Sequence, residues 1–265
     1  MLRLPIAIFI VLLAHALHAN SAPTSDNASQ ASPSDMTYSH ALSSWSAVLS
    51  QYVDSQGRTD FIALAENTQD LQQVVDFIAS TSPQSHPELF PRPADVLAYH
   101  INTYNALAMH NIIEAGIPKN FKTFFKRASF FKFRRVIIGG KKTSLYDYEN
   151  KVIRKLDDPR LHFALNCMVR DCPRLPQEPF LADTLDQQLD AVTYEFFSKP
   201  KHFRLDAEAG VVYLSWILDA YTKDFVSSGK ARDLVPYVNQ YLTTAIPADY
   251  KVRFIKYDWT VNQQP

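Results

Sequence analysis

Three scarcities bound what this chain can do. It has two cysteines and six glycines in 265 residues, and its 27 Lys and Arg are balanced by 27 Asp and Glu. No Gly-rich phosphate loop, Ser-centred nucleophile elbow or His-Glu-x-x-His metal motif occurs. A net charge of zero gives no global reason to bind nucleic acid or an acidic membrane surface. Beyond the first twenty residues, no stretch reaches the roughly 18 apolar residues that a membrane-spanning helix requires. No cofactor and no metal are expected. The expected partner is a small-molecule or peptide substrate.

The N-terminus reads as an export signal. Met1 and Arg3 give a short positive start, Leu4 to Leu13 is apolar apart from Pro5, and small residues follow at Ala14, Ala16 and Ala19. This pattern predicts a signal peptide over 1–19, with cleavage after Ala16, Ala19 or Ala22. Residues 20–37 are mostly Ser, Asn, Ala, Pro, Asp and Thr, so a disordered leader is expected. Residues 38–265 are long enough for one sizeable core and are expected to form a single globular domain. The mature protein is expected to be exported, periplasmic in a Gram-negative host or otherwise secreted.

Apolar periodicity predicts helices over about 37–53, 60–80, 93–115, 145–156, 215–225 and 234–242. The 93–115 helix carries a stripe of Leu97, Ile101, Tyr104, Ala108 and Ile112 and ends at Gly116 and Pro118. Ser144 followed by Asp147 resembles a capping box. Hairpins are predicted around Gly139-Gly140 and between 203–205 and 211–214, and a late strand at Val252 to Lys256. The fold class is α+β, with N-terminal helices packed on a modest, mainly antiparallel sheet. One segment breaks the charge balance. Lys119, Lys122, Lys126, Arg127, Lys132, Arg134 and Arg135 are interleaved with six phenylalanines. It reads either as an amphipathic face with solvated cations or as a surface for an anionic ligand or lipid headgroups.

Both cysteines fall in the window 162–173, His-Phe-Ala-Leu-Asn-Cys-Met-Val-Arg-Asp-Cys-Pro. Cys167 and Cys172 read as a structural disulfide, as a nucleophile with a neighbour, or as a redox pair. The spacing of four intervening residues is wider than redox pairs usually have, and with His162 it fits a zinc site only loosely. A nucleophilic Cys167 needs a lowered pKa. The segment Arg160–Leu165 is expected to be a strand that turns at Asn166 and starts a new element at Cys167, where backbone amides stabilise an anion. His162 can serve as base only if the backbone turns between them; His100, His110 and His202 are the distant alternatives.

Five further positions carry chemistry in one reading and structure in the other. Asn102 and Asn105 share a face of the long helix and either clamp a neighbouring loop's backbone or donate to substrate or an oxyanion. Tyr104 lies between them as a binding candidate. Glu149 is either solvated or the group that orients a histidine. Asp224 and Asp258 sit beside aromatic residues, either as turn groups or as acids with shifted pKa.

Several segments together resemble a bacterial family known as domain of unknown function 547. They are Tyr99 to Leu107, Ser144-Leu145 through Glu149 to Ile153-Arg154, Asp158 to Cys167, Cys172 to Leu175, Leu214-Ser215 to Asp224-Phe225, and Tyr257-Asp258-Trp259 with Asn262. The resemblance runs from about Trp45 to the tail. One departure is His100, where the family tends to place an aromatic, often Trp. The resemblance implies that Asn102, Asn105, Glu149, His162, Cys167, Cys172, Asp224 and Asp258 are the family's recurring polar positions. It implies a fold loosely similar to papain-like and transglutaminase-like cysteine enzymes. The first functional expectation is therefore a cysteine-dependent acyl-transfer enzyme, hydrolase or transferase. In it Cys167 attacks, His162 or another histidine is the base, Glu149 or Asp258 orients it, and Asn102 or Asn105 helps hold the oxyanion. The alternative is a non-catalytic binding or assembly protein whose Cys167–Cys172 bridge shapes a ligand loop.

Overall fold

Apolar residues at helical spacing build the first layer. The computed structural model describes residues 37–265; the expected signal peptide and all of the expected leader except Thr37 lie outside them. Thr37 caps α1 (Tyr38–Tyr52), its hydroxyl accepting from the His40 amide at 3.3 Å, and Trp45, Val48 and Leu49 turn inward. The helix expected over 60–80 is broken into α2 (Phe61–Glu66) and α3 (Gln69–Ser80). The break falls at Asn67 and Thr68, residue types that favour helix ends over interiors.

The central element is α4 (Pro93–Glu114), which begins with proline in its first turn. Every residue from Ala98 to Met109 is buried, as expected of a helix enclosed on all sides. It stops at Gly116, φ 73°, and Ile117 follows in the same left-handed region at φ 51°, its amide returning to the Ile112 carbonyl at 2.9 Å. Next comes α5 (Phe124–Arg127), running directly into a six-residue π-helix over Ala128–Phe133. The strands β1 (Val136–Ile138) and β2 (Lys141–Thr143) then form a hairpin through Gly139 and Gly140, both at positive φ. A side-chain carbon at Gly139 would collide with the Ser82 hydroxyl, so only glycine fits there. Ser144 caps α6 (Leu145–Lys151), accepting from the Asp147 amide at 3.1 Å, and a short 3-10 turn at Ile153–Leu156 extends it.

The C-terminal half contains α7 (Leu161–Ala164), α8 (Leu185–Ser198), β3 (Phe203–Asp206), β4 (Val211–Ser215), α9 (Trp216–Ala220), α10 (Thr222–Phe225), α11 (Leu234–Asn239) and β5 (Lys251–Ile255). The second sheet has the order β3-β4-β5: β3 is antiparallel to β4, and β5 is parallel to it in the register Val211↔Lys251 to Ser215↔Ile255. The fold is α+β; of the strand pairs β4–β5 is parallel and the other two are antiparallel. One apolar core joins the helices to this sheet, with Trp45, Phe61, Leu107, Phe163 and Phe180 among its fully buried side chains.

Candidate functional site

The loop after α7 is held by amides rather than by regular structure. The strand expected over Arg160–Leu165 is not formed. Pro159 opens a tight turn instead, with the His162 amide donating to its carbonyl at 3.3 Å, and all four residues of α7 are buried. Cys167 therefore does not begin a helix or strand. Its amide donates to Cys172 Sγ at 3.0 Å, and the next amide, Met168, donates to Asn166 Oδ1 at 2.7 Å. Cys167 and Cys172 are joined as a disulfide, with Cα atoms 6.0 Å apart and no free cysteine among the described residues. Asn166 ties the ends of the loop together: its amide donates to Asn105 Oδ1 at 2.7 Å and its side-chain nitrogen donates to the Pro173 carbonyl at 2.7 Å. Met168 sits at φ 61°, a conformation that persists in a non-glycine residue only where the surroundings fix it.

His162 is partnered across 62 residues of sequence. Its Nε2 lies 2.8 Å from Asp224 Oδ2, and the ring stacks on Tyr221 at 4.2 Å between centroids. Asp224 also takes two bonds from Arg154, whose Nη2 donates to Oδ1 at 2.7 Å and whose Nε donates to Oδ2. Burial opposes ionisation of Asp224, but the bonds from His162 and Arg154 outweigh it and hold the carboxyl well below the usual carboxylate range. A carboxylate only accepts, so Nε2 carries the proton in this contact, and the Nδ1 side of the ring is the one free of Asp224.

A cavity of about 340 Å³ brings the chemistry together. Four of the sequence candidates line it: Tyr104, Glu149, His162 and Cys167. The Tyr104 hydroxyl donates to Glu149 Oε2 at 3.2 Å. Burial, reinforced by the charge of Glu149, pushes the phenols of Tyr104 and Tyr221 far up, so both remain neutral donors. The Tyr257 hydroxyl rests against the disulfide, 3.5 Å from Cys167 Sγ and 3.4 Å from Cys172 Sγ. Trp216 and Trp259 complete an aromatic wall, each within 5.6 Å of the other or of Tyr257 between ring centroids. Arg127 and Lys132 stand at the same cavity, the first over the Trp259 ring and the second over Tyr146.

The remaining candidates lie elsewhere. Asn102 exchanges two bonds with the backbone of Phe180, donating at 2.7 Å and accepting at 3.0 Å, and Asn105 bonds the Ala164 carbonyl and the Asn166 amide. Neither amide lines the cavity, and the donors of both side chains already serve the backbone. Asp258 turns away and accepts from the amide and hydroxyl of Thr260 at 2.9 and 2.6 Å. Asp224 stands behind His162 rather than on the cavity wall. His100 is buried in the core beside Tyr148, 2.6 Å from its hydroxyl, and burial pushes its pKa down to about 4. The departure from the family pattern at that position therefore does not touch the cavity. His202 is buried and stacked on Phe196, and neither it nor His110 lines the cavity.

Sequence reasoning missed Trp216, Tyr221, Tyr257 and Trp259 as site residues. The signal for two of them was present: in an extended segment Tyr257 and Trp259 share a face that Asp258 does not. Among the described residues, no group of three or more His, Cys, Asp and Glu side chains is placed to hold a metal ion. None of the described helices is long and apolar enough to cross a membrane.

These features define an α+β domain with an aromatic cavity lined by Cys167 of a disulfide and by His162, which Asp224 and Arg154 back. Residues 91–197 match the family model described as "Protein of unknown function, DUF547". The match is narrower than the stretch from about Trp45 to the tail over which the sequence resembles the family. It includes Tyr104, Glu149, His162 and both cysteines, while Trp216, Tyr221, Asp224, Tyr257 and Trp259 lie beyond it. No curated protein and no solved structure matches the chain.

Proposed function

We propose that this is an exported binding protein that takes a small ligand with an apolar or aromatic body into the cavity beside the disulfide. The observation that carries this reading is the closed Cys167–Cys172 bridge forming part of the wall of a preformed aromatic cavity. Aromatic faces supply contact area, and Glu149 with the neutral tyrosines supplies a few fixed polar contacts. A probe with an aromatic body and one charge, 1-anilinonaphthalene-8-sulfonate, tests it. Saturable binding of one dye, with a change in the fluorescence of Trp216 and Trp259, is expected. Ala128→Trp, at a half-buried cavity position, should abolish it. Absence of saturable binding, or binding indifferent to Ala128→Trp, sinks the reading.

The second reading is cysteine-dependent acyl transfer in a reduced form, favoured by His162 and Cys167 lining the same cavity with Asp224 behind the histidine. A dithiol reductant first takes the bridge to two thiols and is itself oxidised to a disulfide. Cys167 then gives its proton to His162 Nδ1 and attacks an acyl carbon, forming a thioester as the leaving group departs with a proton; water or an acceptor releases the acyl group. Asp224 stabilises the imidazolium, as the carboxylate of a triad does. Neither asparagine is used here, because their donors serve the backbone. Alkylation after mild reduction tests it: Cys167 should react at pH 6 in the wild type and much more slowly in Asp224→Asn. Equal rates in both proteins count against it.

A further inference from the structure

The segment between Glu114 and Asp147 contains no acid and nine cations: Lys119, Lys122, Lys126, Arg127, Lys132, Arg134, Arg135, Lys141 and Lys142. Among the described residues none of the nine is in an ion pair, whereas Arg58, Arg92, Arg154, Arg160 and Arg174 all are. The same segment holds five of the ten large hydrophobic side chains that are exposed among the described residues: Phe124, Phe125, Phe133, Ile137 and Tyr146. Phe124 is 70 % exposed and yet lines the cavity, so it stands on the rim; Phe125, 6.0 Å away between ring centroids, is 82 % exposed. Tyr146 and Lys132 stand on the same rim.

We infer that this rim docks on an anionic phospholipid surface, which sets the mouth of the cavity against the lipid. The charge carries the choice of partner. Lysine is depleted at protein–protein contacts, and six of the nine cations are lysines, Lys122, Lys126 and Lys132 among them lying within two residues of exposed phenylalanines. A bilayer interface instead rewards both features: apolar rings enter the acyl boundary while cations meet lipid phosphates. The chain is neutral overall, so this attraction is local to the rim. The inference does not depend on which reading of the cavity holds.

Flotation of the full chain with phosphatidylcholine vesicles, with and without phosphatidylglycerol, tests it. Binding only to the phosphatidylglycerol vesicles, weakening as salt rises, is expected. Phe124→Ala with Phe125→Ala should weaken it at least about tenfold, from lost apolar burial. Each of Lys122→Gln and Lys126→Gln should weaken it about fivefold. All variants carry the same apolar N-terminal run as the wild type, so the differences read the rim alone, and unchanged melting temperatures verify their folding. No selective binding, or equal binding of the Phe124/Phe125 variant, overturns the inference. So does heparin binding as tight as vesicle binding with no dependence on the two phenylalanines, which would indicate a polyanion partner. Self-association abolished by the same two substitutions, with no vesicle binding, would indicate a second copy of the chain and also overturns it.

Discussion

The wall that Cys167 and His162 present, with Asp224 behind it, and the rim formed by Phe124, Lys132 and Tyr146 meet at one cavity but are built on opposite terms. Behind the wall, side chains are committed: Asn105 to Ala164 and Asn166, Asn166 to Pro173 and Met168, Asp224 to His162 and Arg154. On the rim, cations stand without carboxylates and phenylalanines face solvent. Buried polar groups must be paired because an unpaired one costs its full desolvation, so the wall is fixed by necessity. Exposed groups escape that rule, and what the rim presents is set by what it meets rather than by the stability of the fold.

Substitutions should reproduce this ranking. Asn105→Ala is expected to cost most, about 3 kcal/mol in denaturant unfolding, because it strands the Ala164 carbonyl and the Asn166 amide inside the protein. A loss below ~1 kcal/mol would mean that the loop after α7 is not held as described. Asp224→Asn should cost about 2 kcal/mol at neutral pH, since Arg154 and His162 lose a shared charged acceptor. The pH dependence has a definite sign. The folded carboxyl titrates below its unfolded value near ~3.9, so its contribution is complete above that pH and is lost as pH falls through the lower folded value. The wild type should therefore lose stability more steeply than Asp224→Asn on acidification below pH ~4, measured by thermal melts. Parallel acid limbs would contradict the pairing.

Removing the disulfide with Cys167→Ser and Cys172→Ser should cost about 2 kcal/mol, the chain-entropy value for so short a loop. A far smaller cost would show that the asparagine bonds alone hold the loop. Phe124→Ala and Phe125→Ala should change stability by less than ~0.5 kcal/mol each, because both rings are exposed. A large loss there would erase the contrast between rim and wall.

Much of the frame was legible in local pattern. The stripe on α4, its glycine stop, the Gly139-Gly140 hairpin and the Ser144 cap are all signals within a few residues of one another, and each element forms where they indicate. The break at Asn67–Thr68 and the turn after Pro159 were missed because a single polar pair or proline outweighed the surrounding periodicity. The site was legible only as a set of residue types. That His162 finds Asp224, that Tyr104 finds Glu149 and that Tyr257 covers the bridge are contacts across 62, 45 and 85–90 residues, and no local spacing encodes them. The two asparagines were read correctly as a pair on one face, but face alone does not distinguish a clamp from a donor. The loop opposite them decides that, through the Phe180, Ala164 and Asn166 backbone groups that need partners.

The parallel register of β4 and β5 has a consequence for how the cavity comes into being. Because the two strands run the same way, the residues that leave their ends leave together, Trp216 after Ser215 and Tyr257 shortly after Ile255. An antiparallel partner would have sent them to opposite ends of the sheet. The aromatic wall is thus assembled from two segments about forty residues apart, and it exists only once β5 has paired. A partly folded chain that lacks this pairing has its helices but no container, so occupancy of the cavity is a readout of completed folding.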